Sequence, residues 1–167
     1  MVRVRSTSVK GLSAAEVREE GVDTLFMVWL TSRATTDLVN RALAGTGLDG
    51  DEFAIYSVLA AASSITPTEL ARWMAAPPTT VSSYIKRFEA RGHVVREPHP
   101  GDRRSYRVTL TAAGRQAHRA AAKAFTPVRD RVADALGSRT NAVREALLEV
   151  RTVVDDLRHR PADDMTR

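Results

Sequence analysis

The amino-acid sequence predicts a mainly α-helical protein with one small β-hairpin set between its helices. Apolar residues recur at spacings of three and four along most of the 167 residues, the period of an amphipathic helix. Between His93 and Leu110 the period falls to two, the signature of half-buried strands. Punctuation at Thr66–Glu69, Pro77-Pro78 and Gly92 marks off two short helices just ahead of that hairpin.

In chain order, Ser13 and Glu16 have capping-box spacing and predict a short helix from Ala14 to Gly21. A longer helix is expected from Asp23 to Leu43, with Leu25, Phe26, Trp29, Leu30 and Val39 on its apolar face. Gly45-Thr46-Gly47-Leu48-Asp49-Gly50 breaks it. The next helix turns Phe53, Tyr56, Leu59 and Ala60 inward.

Thr66 then caps a short helix that has Pro67 in its first turn and Glu69 closing the box. Leu70, Trp73 and Met74 give it an apolar side. Pro77-Pro78 stops the chain and restarts it as a helix to Arg91, where Val81, Ile85 and Phe88 form the buried stripe and Gly92 the cap.

His93–Glu97 reads as a strand, residues 98–102 as a turn, and Tyr106, Val108 and Leu110 as the inward side of a second strand. Thr111 caps a long helix to Leu136 that Pro127 should bend or interrupt. Gly137 precedes a last helix whose Val143, Leu147, Val150, Val154 and Leu157 make a narrow seam suited to a helix–helix contact. The segment from Pro161 is polar and expected to be loose.

Composition narrows the function. At 43% apolar and 27% charged, the chain can build a core. The longest apolar run, Leu25 to Leu30, is too short for a bilayer. No apolar segment follows the charged start Met1–Arg5, so a cytoplasmic protein without membrane partners is expected. The absence of cysteine removes disulfides, thiolate metal sites and thiol-based sensing. His93, His99, His118 and His159 show no metal-ligand spacing, and no bound metal or cofactor is expected.

The formal net charge is +5. Between Ala76 and Arg107 lie Lys86, Arg87, Arg91, Arg96, Arg103, Arg104 and Arg107 against only Glu89, Glu97 and Asp102. Nearly all the excess therefore sits in one central stretch, as it would opposite a polyanion. A solvated surface rich in arginine fits the charge equally well.

Two short helices followed by a hairpin is the order of a winged helix-turn-helix. The second helix buries Val81, Ile85 and Phe88 and offers Thr79, Thr80, Ser82, Ser83, Lys86 and Arg87 on its other side. Small hydroxyl residues let a helix end approach a major groove, and its free N–H groups suit phosphates. An ordinary amphipathic surface helix fits the same residues. Arg103 and Arg104 at the hairpin turn suit a minor groove, and Asp102 can orient a guanidinium.

The residues Thr66-Pro67-Thr68-Glu69-Leu70-Ala71, Pro78-Thr79-Thr80-Val81-Ser82, Phe88-Glu89-Ala90-Arg91-Gly92 and Asp102-Arg103-Arg104, with Val108-Thr109-Leu110-Thr111-Ala112-Ala113-Gly114, resemble the MarR family of bacterial transcription regulators. The motifs lie between Thr66 and Gly114, and Pro77 departs from them where a capping serine is common. The resemblance implies a homodimeric, sequence-specific regulator of double-stranded DNA, most often a repressor, with a roughly palindromic operator. It implies that Thr79, Thr80, Ser82, Ser83 and Arg87 face the major groove, and that Arg104 enters the minor groove, oriented by Asp102. It also implies a ligand space between the DNA-binding lobe and the dimer helices. By helix order Trp29, Arg33, Phe53, Tyr56 and Arg115 would line that space and suit a small aromatic effector, while aromatics in the core and arginines on the surface fit the same residues.

The expected organisation is an extension over 1–22, a first dimerisation helix over 23–48, a winged helix-turn-helix over 49–111, C-terminal dimerisation helices over 112–160 and a flexible tail over 161–167. Two other classes compete. Gly45 to Gly50 matches G-x-G-x-x-G, but the residues ahead of it look like a helix end, not the strand that a nucleotide-binding enzyme needs. A winged helix that binds protein or RNA is the other; the few aromatics form no exposed stacking array.

Overall fold

The structure is a computed structural model that describes residues 23–160. The helix expected at Ala14–Gly21 and the tail from Pro161 lie outside the described residues. By its internal contacts the chain divides into two units, one up to Ala124 and one from Phe125.

In the first unit, α1 spans Thr24–Ala42, and the Asp23 carboxylate accepts from the Phe26 N–H at 2.9 Å. The expected inward face of α1 is not buried. Leu25, Phe26, Trp29 and Leu30 are all exposed, Trp29 to 55%, and only Val39 is half-covered. The periodicity is that of an amphipathic helix, but this unit places no core against it.

α2 covers Gly50–Ala62 and buries Glu52, Ile55, Tyr56 and Leu59. The buried stripe thus runs through Ile55. Phe53 sits half-buried at its edge and Ala60 is exposed, against expectation. α3 covers Pro67–Met74 with the full capping box. Thr66 Oγ1 accepts from the Glu69 N–H at 3.2 Å, and Glu69 Oε2 accepts from the Thr66 N–H at 2.8 Å. Leu70 and Ala71 take the core-facing side, which leaves Trp73, on a different side of this short helix, 57% exposed instead of inward.

α4 covers Pro78–Ala90 and buries Val81, Ile85 and Phe88, the stripe its spacing predicts. Pro77 stands at the N-cap and supplies no side-chain bond. Gly92 follows at φ +69°, a left-handed turn that lets the His93 N–H reach the Phe88 carbonyl at 2.9 Å.

The hairpin pairs β1, Val94–His99, with β2, Asp102–Leu110, antiparallel, from Val94 opposite Leu110 to His99 opposite Asp102. It is longer than expected: the ladder runs through residues 98 and 102, so the turn shrinks to Pro100-Gly101. Ile65 adds a short bridge to β2 through both bonds with Val108. The core closes where the Tyr56 and Phe88 rings meet edge to face, 4.7 Å apart.

α5 runs from Ala112 to Leu136. Thr111 Oγ1 accepts from the Gly114 N–H at 3.1 Å, the cap that the sequence predicts. Pro127 lies inside α5 without ending it. In the second unit a 3-10 turn over Gly137–Arg139 leads into α6, Thr140–Arg158. No residue of α6 is buried within this chain.

Candidate nucleic-acid interface

Three local features expose one face of α4. Pro77-Pro78 fixes its start, Val81, Ile85 and Phe88 hold its inner side, and Gly92 turns the chain into β1. Thr79, Thr80, Ser83 and Lys86 are therefore exposed, and Ser82 is half-buried beside them. Ser83 Oγ donates to the Thr79 carbonyl at 3.0 Å, which leaves its lone pairs directed outward for another donor. The N–H groups of the first turn have no side-chain cap, because Pro77 has none to give. A helix N-terminus of this kind, with hydroxyls around it, can accept an anion or a base edge.

Arg87 is differently placed from its neighbours. Its guanidinium lies 3.3 Å from Glu52 Oε1 and 4.6 Å over the Tyr84 ring. Arg91 donates to the other oxygen, Glu52 Oε2, at 3.0 Å. Glu52 itself is only 3% exposed and sits in the first turn of α2, where the helix dipole favours its charge. Its hydrogen bond keeps Arg91 above the usual arginine range, although burial works against this.

Two other cations of the central stretch are also held by the protein. Arg96 binds Glu89 Oε2 at 2.6 Å and stacks 4.5 Å over the Tyr106 ring. Arg107 donates from Nε to Ser64 Oγ and from Nη2 to the Ser64 carbonyl, both at 2.7 Å. Arg107 thereby fastens β2 to the loop ahead of α3. The raw charge excess of this stretch thus overstates what the surface offers. Asp102 opens β2 directly after the Pro100-Gly101 turn, in register with His99, and Arg103 and Arg104 follow it.

Glu52 is the residue that sequence reasoning missed. A signal existed: Glu52, Tyr56 and Leu59 fall at i, i+4 and i+7, so a carboxylate interrupts an otherwise apolar stripe. Such a position calls for a cationic partner, but the partners lie more than thirty residues away.

The five residues expected around an effector each have other neighbours. Arg33 stacks on Trp29 at 5.9 Å on the exposed face of α1. The Phe53 ring lies 5.6 Å from that of His118. Tyr56 is fully buried, and its Oη lies 2.8 Å from His93 Nδ1, so it belongs to the core and not to a pocket wall. Arg115 donates to the Leu110 carbonyl at 2.6 Å. A cleft of about 420 Å³ does open elsewhere, lined by Ser64, Glu69, Arg72, Trp73 and Arg107 among others. The five seam residues all lie on α6, with Val143, Leu147 and Leu157 exposed and Val150 and Val154 half-covered.

A sequence model of the MarR family matches residues 46–105, from the turn ahead of α2 to the start of β2. Over this stretch the chain is similar to the MarR family. MarR-type solved structures share the fold over most of the chain. The regulator MOSR of M. tuberculosis, in complex with DNA, is 24% identical, with a TM-score of 0.71 over 81% of this chain and 98% of that one. The repressor CouR, bound to a 23-mer DNA duplex, is 24% identical, with a TM-score of 0.69 over 83% and 96%. A mutant of E. coli MarR complexed with operator DNA is 21% identical, with a TM-score of 0.69 over 78% and 94%. At these identities the likeness is one of fold, mainly helical with a two-stranded wing. No curated protein matches the chain in sequence.

Proposed function

We propose that this chain is a sequence-specific transcription regulator of double-stranded DNA, acting as a homodimeric repressor. The observation that carries the reading is the solvent-facing hydroxyl side of α4, set beside a hairpin that brings Arg103 and Arg104 to its tip. The same fold is bound to DNA in relatives from E. coli and M. tuberculosis.

In this reading Thr79, Thr80, Ser82 and Ser83 meet base edges in a major groove and Lys86 meets phosphate. Arg104 enters the adjacent minor groove with Asp102 directing it, and Arg103 lies along the backbone. Arg87 joins this surface only by letting go of Glu52. Two copies, joined through α1 and α6, place their recognition helices one helical turn apart on a roughly palindromic site. Response to a small aromatic ligand through Trp29, Arg33, Phe53, Tyr56 and Arg115 has less support, because Tyr56 is enclosed and Arg115 is engaged at the Leu110 carbonyl.

The test is a comparison of duplex DNA, single-stranded DNA and RNA of equal length, followed by footprinting on the DNA flanking the coding sequence. Duplex preference and a protected, roughly symmetric site are expected. Equal or stronger binding to RNA favours the RNA-binding winged helix instead.

A further inference from the structure

The geometry points to Glu52 as a positioning residue that holds Arg87 away from the phosphates of non-cognate DNA. The inference rests on the duplex-binding reading above and deepens it. Arg87 lies on the recognition helix, one turn beyond Ser83, and is half exposed, so it can reach either inward or outward. Inward, it meets a carboxylate that is almost wholly buried and that water cannot neutralise. The Tyr84 ring beneath it, 4.6 Å away, adds a second attraction toward the same position. The Tyr84 hydroxyl in turn donates to Asp51 Oδ2 at 3.2 Å, which fixes that ring against the start of α2.

Glu52 does not depend on Arg87 alone. Arg91 holds its other oxygen at 3.0 Å, and the first turn of α2 contributes its dipole. Arg87 can therefore leave without orphaning the carboxylate. It leaves only where a better acceptor is presented at the right place. Phosphates of arbitrary sequence offer attraction in high dielectric and under salt screening, whereas Glu52 offers it from a desolvated position. The recognition helix then carries an arginine whose contact is conditional on register, and sequence-independent affinity stays low. An unrestrained arginine at the same position would add one counterion-releasing contact on every sequence.

The salt dependence of binding to a random-sequence duplex tests this, measured on the full chain for wild type, Glu52→Gln, Arg87→Ala and the double variant. The amide keeps the shape and one acceptor for Arg91 but removes the charge that holds Arg87. For Glu52→Gln the slope of log K against log salt should steepen by about 0.9 per subunit. Binding per subunit should then lose about 3-fold more affinity than wild type between about 50 and about 200 mM salt. Arg87→Ala alone should leave the wild-type slope unchanged, and the double variant should return to it.

A purely structural role for Glu52 predicts weaker binding at unchanged slope. That result overturns the inference, as does a steeper slope that survives in the double variant. If Glu52→Gln does not fold, Arg87→Ala decides alone: a slope lowered by about 0.9 per subunit means Arg87 already rests on phosphate. Wild type that shows no duplex binding refutes the underlying reading itself, an outcome distinct from equal slopes in all four proteins.

Discussion

The Tyr56 hydroxyl lies 2.8 Å from Nδ1 of His93 and joins the buried middle of α2 to the residue that opens the wing. Burial is the main cause that raises the Tyr56 phenol above its ordinary value of 10.0, so the ring stays neutral in the fold. Tyr56→Phe keeps the edge-to-face contact with Phe88 but removes the partner of His93. A loss of about 1–2 kcal/mol is expected, read as a lower urea midpoint at unchanged m-value. The raised phenol also sets a sign. Its contribution is complete below pH 10 and falls as pH rises through the folded value, so the wild type should weaken above pH 10 more than the variant.

His118 gives the opposite pH dependence. Burial chiefly, and the charge of Arg119 secondarily, hold its imidazole below the usual 6.5. The folded state therefore binds a proton less readily than the unfolded chain. Stability is complete above pH 6.5 and declines as pH falls from there toward the folded value. His118→Phe keeps a ring against Phe53, and Ser57 keeps its bond to the Phe53 carbonyl at 2.8 Å. Unfolding midpoints measured between pH 7 and pH 5 should slope less in the variant than in wild type. Parallel curves would remove His118 from the account.

Gly114 explains part of the motif that follows the wing. A Cβ built there would stand 2.0 Å from the His93 carbonyl oxygen and 2.9 Å from its carbon. The start of α5 thus packs backbone to backbone against the entry to β1, and the Thr111 cap fixes that approach. Gly114→Ala must push the helix and the wing apart, at a cost of about 3 kcal/mol. At about 2–4 °C per kcal/mol, the thermal midpoint should fall by roughly 6–12 °C. An unchanged midpoint would mean that the wing and α5 move apart freely.

Elements held by partners close together in the chain were legible from spacing. The stripe Val81, Ile85, Phe88 and the Thr66–Glu69 box involve neighbours within one or two turns, so spacing alone revealed them. Longer-range pairings were hidden. Arg107 reads as surface charge until Ser64 is found beside it, and Arg87 reads as an unpaired cation until Glu52 is. Trp73 shows the limit of periodicity in an eight-residue helix, where three apolar residues need not share a side. On α1 and α6 the pattern correctly marks an apolar face, but a pattern carries no information on what covers it.

The wing is tested at Arg104, which follows the turn by three positions on β2. If it enters a minor groove, Arg104→Ala should lower the salt slope on the operator by about 0.9 per subunit. Alanine replacing Ser83 should behave differently, because a base contact costs about 1–3 kcal/mol at particular base pairs and little elsewhere. A panel of operator variants assayed at several salt concentrations separates the two. Equal loss across all sequences for Ser83→Ala would assign it to backbone positioning.

The proposed homodimer is tested on the apolar seam of the last helix. α6 is 19 residues long, yet none of its side chains is buried, and Leu147 is 52% exposed between Val143 and Val154 on one seam. An apolar stripe of that length in water forgoes about 25 cal/mol for each Å² left uncovered. A second copy of the chain would present the same stripe and cover it. Glutamate at both Leu147 and Val154 would place like charges face to face in such a pair, while leaving an exposed helix of one chain little affected. Sedimentation should show monomers of the double variant at concentrations where wild type is dimeric. Circular dichroism should show the first unit intact. A variant that still sediments as a dimer moves the interface off this seam, and the exposed face of α1 around Trp29 becomes the surface to charge next.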